Sequence, residues 1–105
     1  MPFLPASDIS PSQVEASIAR TLTSFAPDIV RIRYSFEDDW SGDAALYFRV
    51  LLSDAAAAPA RLLLTTRRIA ESLRTDLRPE ESGRITYFNF RSEAEPRELK
   101  DPDWA

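Results

Sequence analysis

Two stretches of strict alternation constrain this chain more than anything else in it. In Asp28–Phe36, Val30, Ile32, Tyr34 and Phe36 alternate with Ile29, Arg31, Arg33 and Ser35. In Ala44–Ser53, Leu46, Phe48, Val50 and Leu52 alternate with Ala45, Tyr47, Arg49 and Leu51. A period of two sends successive side chains to opposite faces, so each stretch reads as a half-buried strand. The segment between them, EDDWSGD at 37–43, is acidic and contains Ser-Gly. It reads as the hairpin connection, which makes the two strands antiparallel.

A helix is expected on either side of this hairpin. Ser10 can cap, Pro11 suits the first helical position, and Gln13 completes a capping box. Val14, Ile18, Thr21, Leu22 and Phe25 follow on one face, and Pro27 stops the helix. After the hairpin, Asp54 and four alanines lead to Pro59 at the start of a second helix. Its expected buried stripe is Leu62, Thr66, Ile69, Leu73 and Leu77, with Arg67, Arg74 and Arg78 around Glu71 on a solvated flank. Residues 79–83 read as a turn, and 84–91 (RITYFNFR) as a third strand. Thr86, Phe88 and Phe90 are assigned inward, because the other face would bury Asn89 and Arg91 without evident partners.

The expected fold is a two-layer α+β sandwich in the order α-β-β-α-β. Two helices pack on one face of a three-stranded mixed sheet, and the second helix is a right-handed crossover that sets the third strand parallel to the second. The 105 residues suit one domain. Its expected limits are a loose leader at 1–9, the domain at 10–91 and an acidic tail at 92–105. The tail carries −3 of the net charge of −4.

Composition narrows the chemistry. There is no Cys and no His, which removes disulfides, thiolate nucleophiles, Cys/His zinc sites and imidazole acid–base catalysis. Gly42 and Gly83 stand far apart, so the glycine-rich phosphate and dinucleotide loops are excluded. No cofactor and no catalytic residue is implied. The acids Glu37, Asp38, Asp39 and Asp43 do not follow a calcium-loop spacing and read as a solvated turn. No apolar run is long enough to span a membrane, and MPFLPASD lacks the features of a signal peptide, so a cytoplasmic location is expected. Twelve arginines against one lysine, with fourteen alanines, match the coding bias of a GC-rich bacterium.

One surface carries a functional expectation. With both helices on one face, the other face of the sheet is open and presents Arg31, Arg33, Tyr47, Arg49, Tyr87 and Arg91, with no acid inside the strands. Depending on hairpin register, Arg31 or Arg33 lies directly opposite Arg49. Like charges so placed repel by some tenths of a kcal/mol up to about 1. They call for an anion: solvent counter-ions, the acidic tail, an acidic segment of a partner or second copy, or nucleic-acid phosphate. Trp40 in the hairpin loop is expected to pack over the sheet edge. Trp104 in the tail suits docking into a pocket. The expected function is a small non-enzymatic interaction module that binds a protein partner, or itself, through the Arg/Tyr face and the tail. The alternative is a single-stranded nucleic-acid binder that uses the same face, with Tyr47 and Tyr87 stacking bases.

Overall fold

The computed structural model describes residues 9–94. Its elements run α1 (Pro11–Ser24), β1 (Ile29–Asp38), β2 (Ala44–Leu52), α2 (Pro59–Leu77), a 3-10 turn (Pro79–Ser82) and β3 (Ile85–Ser92). Helix α1 starts at the expected cap. The Ser10 hydroxyl accepts from the Gln13 N–H at 3.2 Å, and the Gln13 side-chain oxygen accepts from the Ser10 N–H at 2.8 Å. This reciprocal box serves N–H groups that the first helical turn cannot pair internally. Helix α2 starts at Pro59 and closes on Arg78, whose N–H bonds back to the Arg74 carbonyl while its backbone turns left-handed at φ 47°. Pro79 then prevents continuation.

The sheet order is β1-β2-β3. Strands β1 and β2 are antiparallel, and β2 and β3 are parallel with α2 as the crossover, which is the α+β arrangement expected. Strand β2 is the spine. Leu46, Phe48, Val50 and Leu52 on its helix-facing side have no solvent exposure. Val14 and Ile18 of α1 and Ile69 and Leu73 of α2 pack with them, and Phe88 and Phe90 of β3 lie half-buried at the margin. Phe48 and Phe88, paired across β2 and β3, stack with ring centres 5.2 Å apart. Ile9 joins the core just before the cap, and Glu93 extends the pairing beyond β3 by donating to the Leu52 carbonyl at 2.9 Å.

Three expectations change. A bulge between Ile29 and Arg31 sets Ile29 opposite Leu52 in the core and leaves Val30 45 % exposed, so Ile29 is not on the open face. An extra residue in one strand shifts the alternation by one on its far side. The α2 stripe is Thr65, Ile69, Ala70 and Leu73, with Leu77 at its edge, whereas Leu62 is 38 % exposed and Thr66 half-buried. The helix is therefore rotated slightly from the phase that its leucines suggest, leaving Leu63 69 % exposed. Finally, Arg74 does more than line a solvated flank. It donates to the Thr86 hydroxyl at 3.2 Å and lies over the Phe88 ring at 4.9 Å.

These placements separate inside from outside in a way that denaturation can measure. Phe48→Ala should cost about 3–5 kcal/mol, from lost burial plus a residual cavity. Leu63→Ala should stay within about 0.5 kcal/mol of the parent. Equal losses in urea titrations would contradict the assigned rotation of α2.

Candidate functional site: the open face of the sheet

The face turned away from the helices is a lattice of four rungs, each crossing β1, β2 and β3 in that order. The rungs are Glu37–Ala45–Ile85, Ser35–Tyr47–Tyr87, Arg33–Arg49–Asn89 and Arg31–Leu51–Arg91. Arg31, Arg33, Tyr47, Arg49, Tyr87 and Arg91 therefore share one surface. Of the two hairpin registers, the structure takes the one that sets Arg33 opposite Arg49. Among the described residues, neither of these arginines forms an ion pair or a hydrogen bond. Leu51 keeps only 8 % exposure although no helix among the described residues covers it. It lies between Arg31 and Arg91, whose aliphatic stems suit such cover.

The face is not free of acid. Strand β1 runs to Asp38, so Glu37 lies within the ladder opposite Ala45 and accepts a hydrogen bond from the Ser35 hydroxyl at 2.5 Å. The loop acids are also more than a solvated turn. Asp39 is 7 % exposed and folds over the end of the face. One of its carboxylate oxygens accepts from the Ser41 hydroxyl at 2.6 Å, the Ser41 N–H at 2.9 Å and the Asp43 N–H at 3.0 Å. The other accepts from the Tyr87 hydroxyl at 2.8 Å. The Ser41 hydroxyl bond, with those from Tyr87 and the two backbone N–H groups, outweighs desolvation and holds the Asp39 carboxyl at about 2. The same contact raises Tyr87, because the carboxylate accepts only from the protonated phenol. Among the described residues, no group of three or more acids gathers as a metal-binding cluster.

The tyrosines are engaged with each other. Tyr47 and Tyr87 stack at 4.9 Å with planes 16° apart. Trp40, expected to pack over the sheet edge, is instead 92 % exposed. The Asp39 bonds and the Gly42 N–H bond to the Asp39 carbonyl at 2.9 Å tie the loop that carries it, and Gly42 allows the turn with φ at 88°. Trp104 and most of the acidic tail lie outside the described residues.

The face is thus polar along the strand direction. Carboxylates and the aromatic pair occupy the hairpin end, and arginines occupy the other. Alternation alone exposed the arginine set. The Asp39–Tyr87 contact spans 48 residues and left no local sequence signal. No protein family, curated protein or solved structure matches this chain. In the described residues, no helix is long and apolar enough to cross a membrane.

The Asp39 bonds give a signed pH dependence. A carboxyl lowered in the folded state stabilises above its unfolded value, near 3.9. That contribution fades as pH falls through about 2. Asp39→Asn should therefore destabilise at pH 7, and the gap to the parent should narrow steadily below pH 4. A gap that stays constant between neutral and strongly acidic pH in urea titrations would remove this role.

Proposed function

We propose that this chain is a non-enzymatic interaction module whose open sheet face takes an acidic segment of a protein partner. The observation that carries the reading is the Arg33–Arg49 pair. Arg33 and Arg49 are opposed across the β1–β2 ladder on a face that no helix covers among the described residues, and neither forms an ion pair there, in a chain of net charge −4. A carboxylate-bearing segment seated between them would convert the repulsion into paired, bidentate contacts. Trp40 supplies a second contact of a different kind: a large aromatic side chain held out from a hydrogen-bonded loop is the type of group that dominates binding at interface centres.

The aromatic end of the face favours a protein over nucleic acid. Tyr47 and Tyr87 each spend one ring face on the other, and the Tyr87 hydroxyl is held by a carboxylate. A phosphate chain following the strands would pass from the arginines onto Glu37 and Asp39. Net negative charge also slows the approach of a polyanion.

Affinity capture from cell lysate, with and without nuclease, tests the reading when run beside Arg33→Glu/Arg49→Glu. The double reversal keeps two like charges opposed, so its folding stability should stay within about 1 kcal/mol of the parent. A bound protein that survives nuclease and is lost in the double variant is the expected result. Trp40→Ala should weaken the same capture without changing stability by more than about 0.5 kcal/mol. Capture unchanged by the double reversal would move the site elsewhere. Salt-sensitive binding of labelled single-stranded oligonucleotides would give the face to nucleic acid instead.

A further inference from the structure

We infer that the outer edge of β3 is a self-association site that pairs antiparallel with β3 of a second copy. The edge is built to accept a strand. Among the described residues, strand β3 pairs with β2 alone, in a regular register over eight residues, and it contains no proline. Strand β1, at the opposite edge, is interrupted by its bulge, one of the devices that discourage strand addition. Glu93 directs its N–H at β2, and alternation turns the N–H and C=O groups of Asn89 and Arg91 the same way. Those of Thr86, Phe88 and Phe90 therefore point outward.

The side chains along this edge are also short of cover. No residue of β3 is fully buried, although Phe88 and Phe90 belong to the core face. An open groove of about 500 Å³ runs beside them between β3 and α2, lined by Thr66, Ala70, Arg74, Thr86, Phe88 and Phe90. The exposed Leu63 lies on the same helix. A strand added at the edge would extend the sheet beneath this groove.

The sequence of β3 selects a second β3 as that strand. Antiparallel pairing with Asn89 on the two-fold axis sets Asn89 opposite Asn89, Phe88 opposite Phe90, Tyr87 opposite Arg91 and Ile85 opposite Glu93. Both aromatic pairs fall on the core face, where such cross-strand pairs stabilise a sheet. Phe88 and Phe90, with outward N–H and C=O groups, form the two symmetry-related pairs that exchange both backbone bonds. A one-residue slip of the second strand would set the core face of one copy against the open face of the other. A slip of two would set Phe88 against Phe88, Thr86 against Phe90 and Ile85 against Arg91, leaving one aromatic pair in place of two. The result is a closed, isologous pair with a six-stranded sheet. It also brings two arginine rungs into line, in the order Arg33, Arg49, Asn89, Asn89, Arg49, Arg33.

The absence of native cysteine makes the register directly testable. Asn89 on the axis is a non-hydrogen-bonded pair with Cα atoms about 4.5 Å apart, within the roughly 4.4–6.8 Å that a disulfide spans. Under mild oxidation, Asn89→Cys should give a covalent dimer on a non-reducing gel. Arg49→Cys should not, since three strand spacings of about 4.8 Å separate the two copies of position 49. Sedimentation of the unaltered protein should give twice 11.9 kDa, falling to 11.9 kDa on dilution. Asn89→Lys, at an exposed position beside Arg49, would place six cations in one row. It should weaken the dimer about ten-fold or more with an unchanged circular dichroism spectrum. A mass of 11.9 kDa at every concentration overturns the inference. Equal cross-linking through Arg49→Cys, which would mean face-to-face packing, also overturns it, as does a dimer that neither cysteine captures. The edge is read by mass and cross-linking and the open face by capture, so either reading can fail without the other.

Discussion

Burial of β2 on both sides is the constraint from which the rest of the structure follows. Its helix-facing residues are sealed by α1, α2 and the ring of Phe88. On the other side no helix lies among the described residues, yet Ala45 has no exposure and Leu51 has 8 %. Those two positions are flanked by the long side chains of the edge strands: Glu37 and Ile85 about Ala45, and Arg31 and Arg91 about Leu51. Arginines suit such places because an aliphatic stem can lie on an apolar neighbour while the head stays in water. Arg31 and Arg91 thus place charge on the open face at the two positions beside the buried Leu51.

Sequence reasoning reached the elements whose signals are local. The Ser10–Gln13 box, the prolines at 11, 27, 59 and 79, and the alternation in all three strands placed the helices, the hairpin and the parallel third strand correctly. Misplaced features were those that local pattern cannot register. Ile29 and Val30 are both apolar, so the bulge between them left the run looking regular. The three consecutive leucines at 62–64 let α2 be drawn with its stripe slightly out of phase. For the site, the arginines and tyrosines were legible because burying them without partners is costly. Asp39 was not, because its meaning depends on Tyr87, which arrives at the hairpin only through the α2 crossover. Trp40 was misjudged for a related reason: large aromatic size favours burial, but the bonds that tie this loop are polar and leave the ring outside.

The Asp39 contact also changes what kind of surface the face is. A uniform arginine patch would attract any anion with little regard to direction. Here the anchored carboxylate and the stacked tyrosines mark one end, so charge varies along the strands. A bound segment with acid at one end and apolar or basic groups at the other has a preferred direction on such a surface. Electrostatic patterning of this kind contributes to orientation and selectivity more than to raw affinity.

Strand β3 has a consequence for how the molecule moves. It contributes no fully buried side chain and joins the sheet only through a parallel ladder to β2, whereas β1 is tied to β2 through a short connection. Segments with few buried contacts open at the lowest free energy. In a single copy, fluctuations of the sheet should therefore begin at β3, and amide exchange should register them there before it reaches β2. While β3 is away, Phe48 and Val50 lose their neighbours on that side, and the apolar spine of the protein meets water along a bare strand edge. In a single copy, the margin of the sheet is thus where the domain guards itself against misassembly, with a reserve set by how firmly one lightly buried strand stays docked.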